Sequence, residues 1–371
     1  MQSPANSDAA TEFEHQADRL LPAFTGLRAV AAYLVFLHHY NPAPTNTLAN
    51  RLFQQGYIGV SIFFVLSGFL INHRYASAFM KQTNWSWRRY LQNRFARIFP
   101  VYGLFLLITV GADSLLGHPM RLPVLVLNVT LLKGFSETYL FSGIAQSWSL
   151  TVELCFYLIA PVFLSGLNRW NPLLLPAMLF GLGLLIWLLI NQFVGNAAVG
   201  KGAAGWIPFL LFYTFFGRSF EFVAGMWLAS QYRQNRLPAV PYAMETGLLV
   251  ISGCMLWQSS VTLFTASRTL LVVSEAVVYN LALPVGICLF LMGLLNPAST
   301  MNRLLSHSFA QALGRSSYAF YLLHIGIVAR AMQKAGIINY WLLFGLMVLL
   351  AYGLYALVER PLHQWLRFRD P

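Results

Sequence analysis

Ten stretches of the chain are apolar enough and long enough to read as bilayer-crossing helices, at about 22–42, 57–76, 98–116, 148–167, 173–194, 206–229, 243–259, 276–295, 317–335 and 338–358. Each lies near the ~20 residues that a helix rising about 1.5 Å per residue needs to cross a hydrocarbon core roughly 30 Å thick. The pattern predicts an all-α polytopic membrane protein with about ten transmembrane helices in one domain, residues 21–360, and a short basic tail over 361–371. Residues 1–20 read as a polar, disordered tail carrying Asp8, Glu12, Glu14 and Asp18. They lack the basic start and cleavage site of a secretory signal, so the first apolar stretch is expected to remain as a helix. An eleventh apolar run, 122–132, is too short to cross and reads as a re-entrant or interfacial piece.

Composition excludes a soluble protein: 57% of residues are apolar and 10% charged, with a mean hydropathy of +0.59. The net charge of +12 does not point to nucleic acid, because the basic residues sit mostly in short loops, where they report orientation. With ten spans, one set of loops holds Arg74, Lys81, Arg88, Arg89, Arg94, Arg97, Arg169, Arg233, Arg236, Arg303, Arg315, Arg360, Arg367 and Arg369. The other holds only Arg51, Arg121, Lys133, Lys201, Arg268 and Lys334, with Arg330 close by. Basic residues prefer the inner side, so both termini are expected to be cytoplasmic. Cys155, Cys254 and Cys288 lie in apolar runs without metal or disulfide spacing and read as core residues.

Against that background a few ionisable residues stand out. Arg28 and His39 lie eleven residues apart in the first apolar stretch, where ionisable side chains are costly and seldom kept without a use. At about 100° per residue this is roughly three turns, so both share a helical face with a rise of about 16 Å between them. His38 falls about 80° off that face. The loop charges put Arg28 in the inner half and His39 near the outer end, a charge and a base at two depths of one cavity. Arg94 and Arg97 are three apart and predicted to neighbour one another at the cytoplasmic surface. Paired guanidinium groups suit phosphate; the other reading is a helix-end anchor.

A further polar cluster runs from Gln146 to Glu153, with Glu153 four residues beyond Ser149 and on its face. In the predicted topology Glu153 shares a leaflet with His39, and either orients its imidazole or pairs with Arg28. Arg218 and Glu221 read as a self-satisfied pair. Tyr318 and His324 are the remaining intramembrane polar residues singled out, and a lone histidine there also fits a hydrogen-bonded core role. Gly59, Ser61, Ser67 and Gly68 in GVSIFFVLSGFLI read as small residues for close helix packing rather than as a catalytic serine.

Six segments, FTGLRAVAAYLVFLHHY, GYIGVSIFFVLSGFLI, RFARIFPVY, SWSLTVELCFYLIAPVF, RSFEFVAGM and LGRSSYAFYLLH, occur in this order between about Leu21 and Arg367. Together they resemble the signature segments of the acyltransferase family 3 membrane proteins. The resemblance implies a ten-helix enzyme that takes an acyl group, usually acetyl, from cytoplasmic acyl-CoA and places it on an extracytoplasmic hydroxyl, commonly of a sugar. It places the family's Arg–ten residues–His motif on Arg28 and His39, its RxxR motif on Arg94 and Arg97, and its tryptophan–serine–glutamate segment on Trp148, Ser149 and Glu153.

That resemblance implies acetyl-CoA or another short acyl-CoA as donor, held by Arg94, Arg97 and Arg28, and no metal. His39 is the candidate general base, Glu153 its orienting acid, and Arg28 a holder of the pantetheine arm or a polariser of the thioester carbonyl. An acyl-His39 intermediate is the alternative to direct transfer. Trp148, Ser149, Tyr318 and His324 are the candidates for acceptor contact. The expected setting is the bacterial inner membrane. The expected acceptor is a lipid-linked or polymeric sugar such as an exopolysaccharide unit, with polysaccharide assembly proteins as partners and a secondary metabolite as the runner-up. The chain departs from the family at Thr25, where many members carry aspartate, and at Leu154, where a second acidic or polar residue is common. It also ends without the SGNH hydrolase-like domain that some members append, so it is expected to complete transfer alone or hand its acyl group to a partner. A transporter or lipid flippase would share the buried charges, but the Arg28–His39 pattern has no convincing repeat in the second half. A non-catalytic relative that binds a lipid-linked glycan is the third class.

Overall fold

A computed structural model describes residues 21–81, 85–166, 171–194 and 202–366, and every regular element among them is helical. The tails at 1–20 and from 367 onward, with Arg367 and Arg369, lie outside the described residues. So do Arg169 and Lys201 and the side chain of Lys81. Helices occupy all ten predicted stretches: α1 (Pro22–His39), α2 (Ile58–Lys81), α3 (Trp87–Leu115), α4 (Trp148–Gly166), α5 (Leu174–Val194), α6 (Phe215–Arg233), α7 (Ala243–Ser260), α8 (Leu283–Leu294), α9 (Ser317–Leu323) and α10 (Tyr340–Leu354). Seven helices among the described residues are long and apolar enough to cross a membrane. Residues Leu122–Val129 form an eight-residue helix, which spans only about 12 Å and cannot cross alone.

Helix α1 runs between two apolar clusters. Ala32, Val35 and Phe36 belong to one, with Phe64, Tyr102, Phe156 and Phe320; Phe24, Leu27 and Ala31 belong to the other, with Phe69, Tyr279 and Leu291. Close approach of backbones sets the geometry, as expected where lipid gives helices no hydrophobic reason to associate. A Cβ on Gly59 would collide with the carbonyl of Ala31, one on Gly68 with that of Phe222, and one on Gly225 with that of Val65. Gly59 thus seats α2 on α1, while Gly68 and Gly225 seat α2 on α6. The scaffold role read for the small residues of α2 matches these contacts. Ser61 and Ser67 serve polar neighbours instead: Ser61 Oγ accepts from Arg218 at 3.2 Å, and Ser67 Oγ donates to Glu153 at 2.9 Å.

Several expectations change. Helix α3 begins eleven residues before the predicted 98, with Ser86 capping the backbone N–H of Arg89. The predicted ninth span is two helices, α9 and Ile327–Lys334, separated by a break at His324 and Gly326. Gly326 has a φ of +106°, a conformation costly for any residue with a Cβ. The carbonyls freed at the end of α9 are taken by Gln146, whose Nε2 donates to Tyr321 O at 3.1 Å and Leu322 O at 2.7 Å. Two π-helical turns interrupt the later spans, Ala276–Ala282 before α8 and Tyr355–Glu359 after α10. Such turns re-aim side chains and gather at functional sites.

Lys133 also departs from its reading as a loop charge. Its side chain is fully buried, and Nζ donates to the carbonyls of Ser142 at 2.5 Å and Ile144 at 2.7 Å. Burial pushes its pKa down to about 7. The lysine closes the loop that delivers Gln146 and α4, and its removal from the set of exposed loop charges sharpens the asymmetry between the two ends of the bundle.

Candidate functional site

His39 ends α1, and its ring is exposed at one end of the bundle. Its Nδ1 lies 2.9 Å from the carbonyl of Val35 and 3.3 Å from Nε2 of His324. His324, fully buried at the break after α9, has its own Nδ1 2.6 Å from the carbonyl of Tyr321. A carbonyl can only accept, so in the neutral rings both Nδ1 atoms carry the proton. His324 Nε2 then holds a lone pair and shares the His39 Nδ1–H with Val35. His39 Nε2 is left as a lone pair with no partner among the described residues. This is the arrangement of a base: when Nε2 takes a proton, the Nδ1–H bonds to Val35 and His324 strengthen and spread the new charge. His38 is engaged elsewhere, with its Nδ1 2.5 Å from the Gln54 carbonyl and its ring edge-on to Tyr57.

Three turns back along α1, Arg28 makes no hydrogen bond or ion pair among the described residues, and its guanidinium lies 5.7 Å from the centre of the Phe63 ring. Arg97, Glu153, Tyr157 and Glu359 act on it electrostatically. Arg97 is half-buried and likewise free of hydrogen bonds among the described residues. Glu359, at the end of the second π turn, faces both Arg28 and Arg97, and its Oε2 is buried without a hydrogen bond. Two guanidinium groups and two carboxylates therefore form one electrostatically linked cluster beneath the His39 end. Half-buried charge inside a membrane bundle is costly and marks a candidate binding site.

Two predicted relationships are corrected. Glu153 does not contact His39: its Oε1 accepts from Ser67 and from the hydroxyl of Tyr157. One turn into α4, its carboxylate acts electrostatically on Arg28, and His39 finds its partner in His324 instead. Arg94 is not at the surface but 7% exposed. It is caged by aromatic rings, 5.3 Å over Tyr75 and 5.8 Å over Tyr157, and donates to the Tyr75 hydroxyl at 2.9 Å. The cage offsets the cost of burying the charge through hydrogen bonding and ring quadrupoles. Only Arg97 of the pair remains available.

The residues read as acceptor contacts divide. Ser149 is buried, 2.9 Å from the hydroxyl of Tyr321 and donating to Gln146 O at 3.1 Å. Tyr318 donates to the Ile98 carbonyl at 2.8 Å, tying α9 to α3. Trp148 is half-buried and meets Tyr213 edge-on, with ring centres 5.0 Å apart. Arg218 and Glu221 form the expected pair at 2.8 Å. Sequence reasoning passed over Glu359, Tyr157 and the capping role of Gln146. The signal for Glu359 was an acid at the end of a long apolar run, hidden by the Arg360 that follows it.

Residues 21–359 match the acyltransferase domain family known as acyltransferase family 3. The chain is 30% identical over 339 residues to a peptidoglycan O-acetyltransferase of Listeria monocytogenes, covering 84% of this chain and 50% of that protein. It is 25% identical to a putative peptidoglycan O-acetyltransferase of Bacillus subtilis, covering 94% and 55%. It is also 25% identical to an acyltransferase of Streptomyces mycarofaciens, covering 85% and 81%. The chain thus spans about half the length of the two peptidoglycan O-acetyltransferases. No solved structure matches it.

Proposed function

The chain belongs to the acyltransferase domain family, and from that membership we propose that it is a membrane O-acyltransferase moving an acetyl group from acetyl-CoA to a hydroxyl of a glycan acceptor. The observation that carries the reading is the single helix α1, with a histidine whose Nε2 is free at one end and an uncommitted arginine three turns below it. The acceptor class draws on the names of the two peptidoglycan O-acetyltransferases; an exopolysaccharide unit has the same hydroxyl chemistry. The acetyl-CoA side is assigned to the Arg97 end and the cytoplasm, the acceptor side to the His39 end, in a bacterial cytoplasmic membrane.

In this reaction His39 Nε2 takes the proton of the acceptor hydroxyl as its oxygen attacks the thioester carbonyl. The C–S bond breaks, the CoA thiolate leaves, and the proton passes from His39 to the thiolate or to solvent. Arg28, about three turns from His39, is too far to touch the carbonyl attacked there and is assigned to hold the pantetheine arm between the Arg97 end and His39. Arg97, still free to form forked bonds, is assigned to a CoA phosphate. Glu153 and Glu359 offset the positive charge of the two guanidinium groups between turnovers.

A charge-assisted hydrogen bond contributes about 1.5–3 kcal/mol, so Arg97→Ala is expected to raise the Kd for acetyl-CoA roughly 10- to 100-fold. Arg97→Lys should recover only part of it, because an ammonium lacks the fork. Arg94→Ala should instead lower the melting temperature, since that arginine is built into an aromatic cage. Titration of acetyl-CoA into the purified protein in nanodiscs checks this. Unchanged affinity in Arg97→Ala contradicts the assignment, and a wild-type protein that binds no acyl-CoA contradicts the proposed function.

A further inference from the structure

Beside the histidine pair lies a second polar group that the transfer chemistry leaves unused. Glu275 ends the helix Arg268–Glu275 and leads directly into the π turn Ala276–Ala282. Seven residues from the start of that helix, it sits about 10 Å inside the end of the bundle that carries His39. Its one hydrogen-bond partner among the described residues is the Tyr57 hydroxyl, at a long 3.5 Å. The cation that acts on it, Arg218, is already taken by Glu221 at 2.8 Å and Ser61 at 3.2 Å. A carboxylate inside a span without a cation of its own is costly and is kept for a ligand.

Rings surround it. Tyr57 packs on Tyr279 with centres 4.7 Å apart, and Tyr279 spends its hydroxyl on the side chain of Gln55. Tyr57 also meets His38 at 5.5 Å, and His38 meets His39 at 4.7 Å, so the acid and the base lie on one continuous wall. Tyr213, which feels the charge of Glu275, pairs edge-on with Trp148 at 5.0 Å. The backbone is shaped to the same purpose. Tyr213 stands at a helix break before Thr214, and Asn280 of the π turn ties that break down by donating to Leu211 O at 3.0 Å and Gly217 O at 3.1 Å.

We propose that Glu275, Tyr57, Tyr213 and Trp148 form the binding lobe for a neutral, polyhydroxylated ring, with Glu275 as the residue that recognises its hydroxyls. This rests on the acyl-transfer reading, which supplies the reason for such a ring to lie beside His39. A carboxylate accepts two hydroxyl hydrogen bonds at once, while aromatic rings cover the C–H face of a sugar and keep a polar edge toward it. The same carboxylate repels phosphate and other anions, so the lobe selects the glycan portion of an acceptor rather than a charged headgroup.

The test is glycan binding to the protein in nanodiscs without acyl-CoA, followed by tryptophan fluorescence. The probes are a panel of oligosaccharides of N-acetylglucosamine and of neutral hexoses, with ethanolamine as a cationic competitor. Wild type is expected to bind at least one oligosaccharide. Glu275→Ala and Tyr57→Ala should each weaken that binding at least tenfold, and the isosteric Glu275→Gln should keep part of it. Retained acetyl-CoA binding certifies the fold of each variant. The proposal is overturned if wild type binds none of the panel, if wild type and Glu275→Ala bind alike, or if ethanolamine displaces the glycan, which would make the lobe a cation site. Failure of the enzyme reading is a different result: glycan binding as expected, with no CoA released from acetyl-CoA.

Discussion

His39→Ala is expected to reduce acyl transfer by about 10²–10⁴-fold, the usual value of a positioned general base, while acetyl-CoA still binds with near wild-type affinity. The split follows from geometry. The free Nε2 of His39 lies at one end of α1, whereas Arg28 and Arg97 lie about three turns away in the charged cluster. Removing the imidazole leaves that cluster intact. His39→Gln keeps a polar side chain but has no basic nitrogen, so it should be as inactive as alanine. Rates and acetyl-CoA titrations on both variants check the expectation; turnover at the wild-type rate in either contradicts the role given to His39.

Gly225→Val is expected to cost roughly 3 kcal/mol or more, at the upper end of what overpacking does, because its Cβ would run into the carbonyl of Val65 on α2. A carbonyl in a helix cannot swing aside as a side chain does, so α2 and α6 must separate. With them would go the seat of Glu153 on Ser67 and of Arg218 on Ser61, which depend on the same crossing. Gly103 and Gly345 have nothing within 4 Å of an added Cβ, and alanine at either should be neutral or slightly stabilising. Melting temperature and monodisperse yield from detergent extracts distinguish the cases. A Gly225→Val protein as stable as wild type contradicts the packing account.

Much of the architecture was legible because bilayer length and apolar composition fix where helices start and stop. The break after α9 was not, because LLHIGI, apolar apart from His324, continues the run without a proline; it depends on the positive φ of Gly326 and on Gln146, 175 residues away from Tyr321 along the chain. For the site, helical periodicity found the shared face of Arg28 and His39 and gave Arg218 its partner. Periodicity describes neighbours within one helix and is blind to those across helices. Depth left Glu153 two possible partners, His39 or Arg28, and could not show that its carboxylate turns toward Ser67 on α2 and acts on Arg28. Arg94 was assigned to the surface because its cage comes from Tyr75 on α2 and Tyr157 on α4. The histidine pair escaped for the same reason, its members standing 285 positions apart.

The central claim, that the chain carries an acyl group from CoA to a hydroxyl, is tested most directly by incubating the purified protein in nanodiscs with acetyl-CoA labelled in the acetyl group and a panel of glycan acceptors. The account predicts free CoA and label recovered as a base-labile O-ester on at least one acceptor, both lost in His39→Ala. No CoA release above buffer, with acetyl-CoA and longer acyl-CoAs alike, would contradict it.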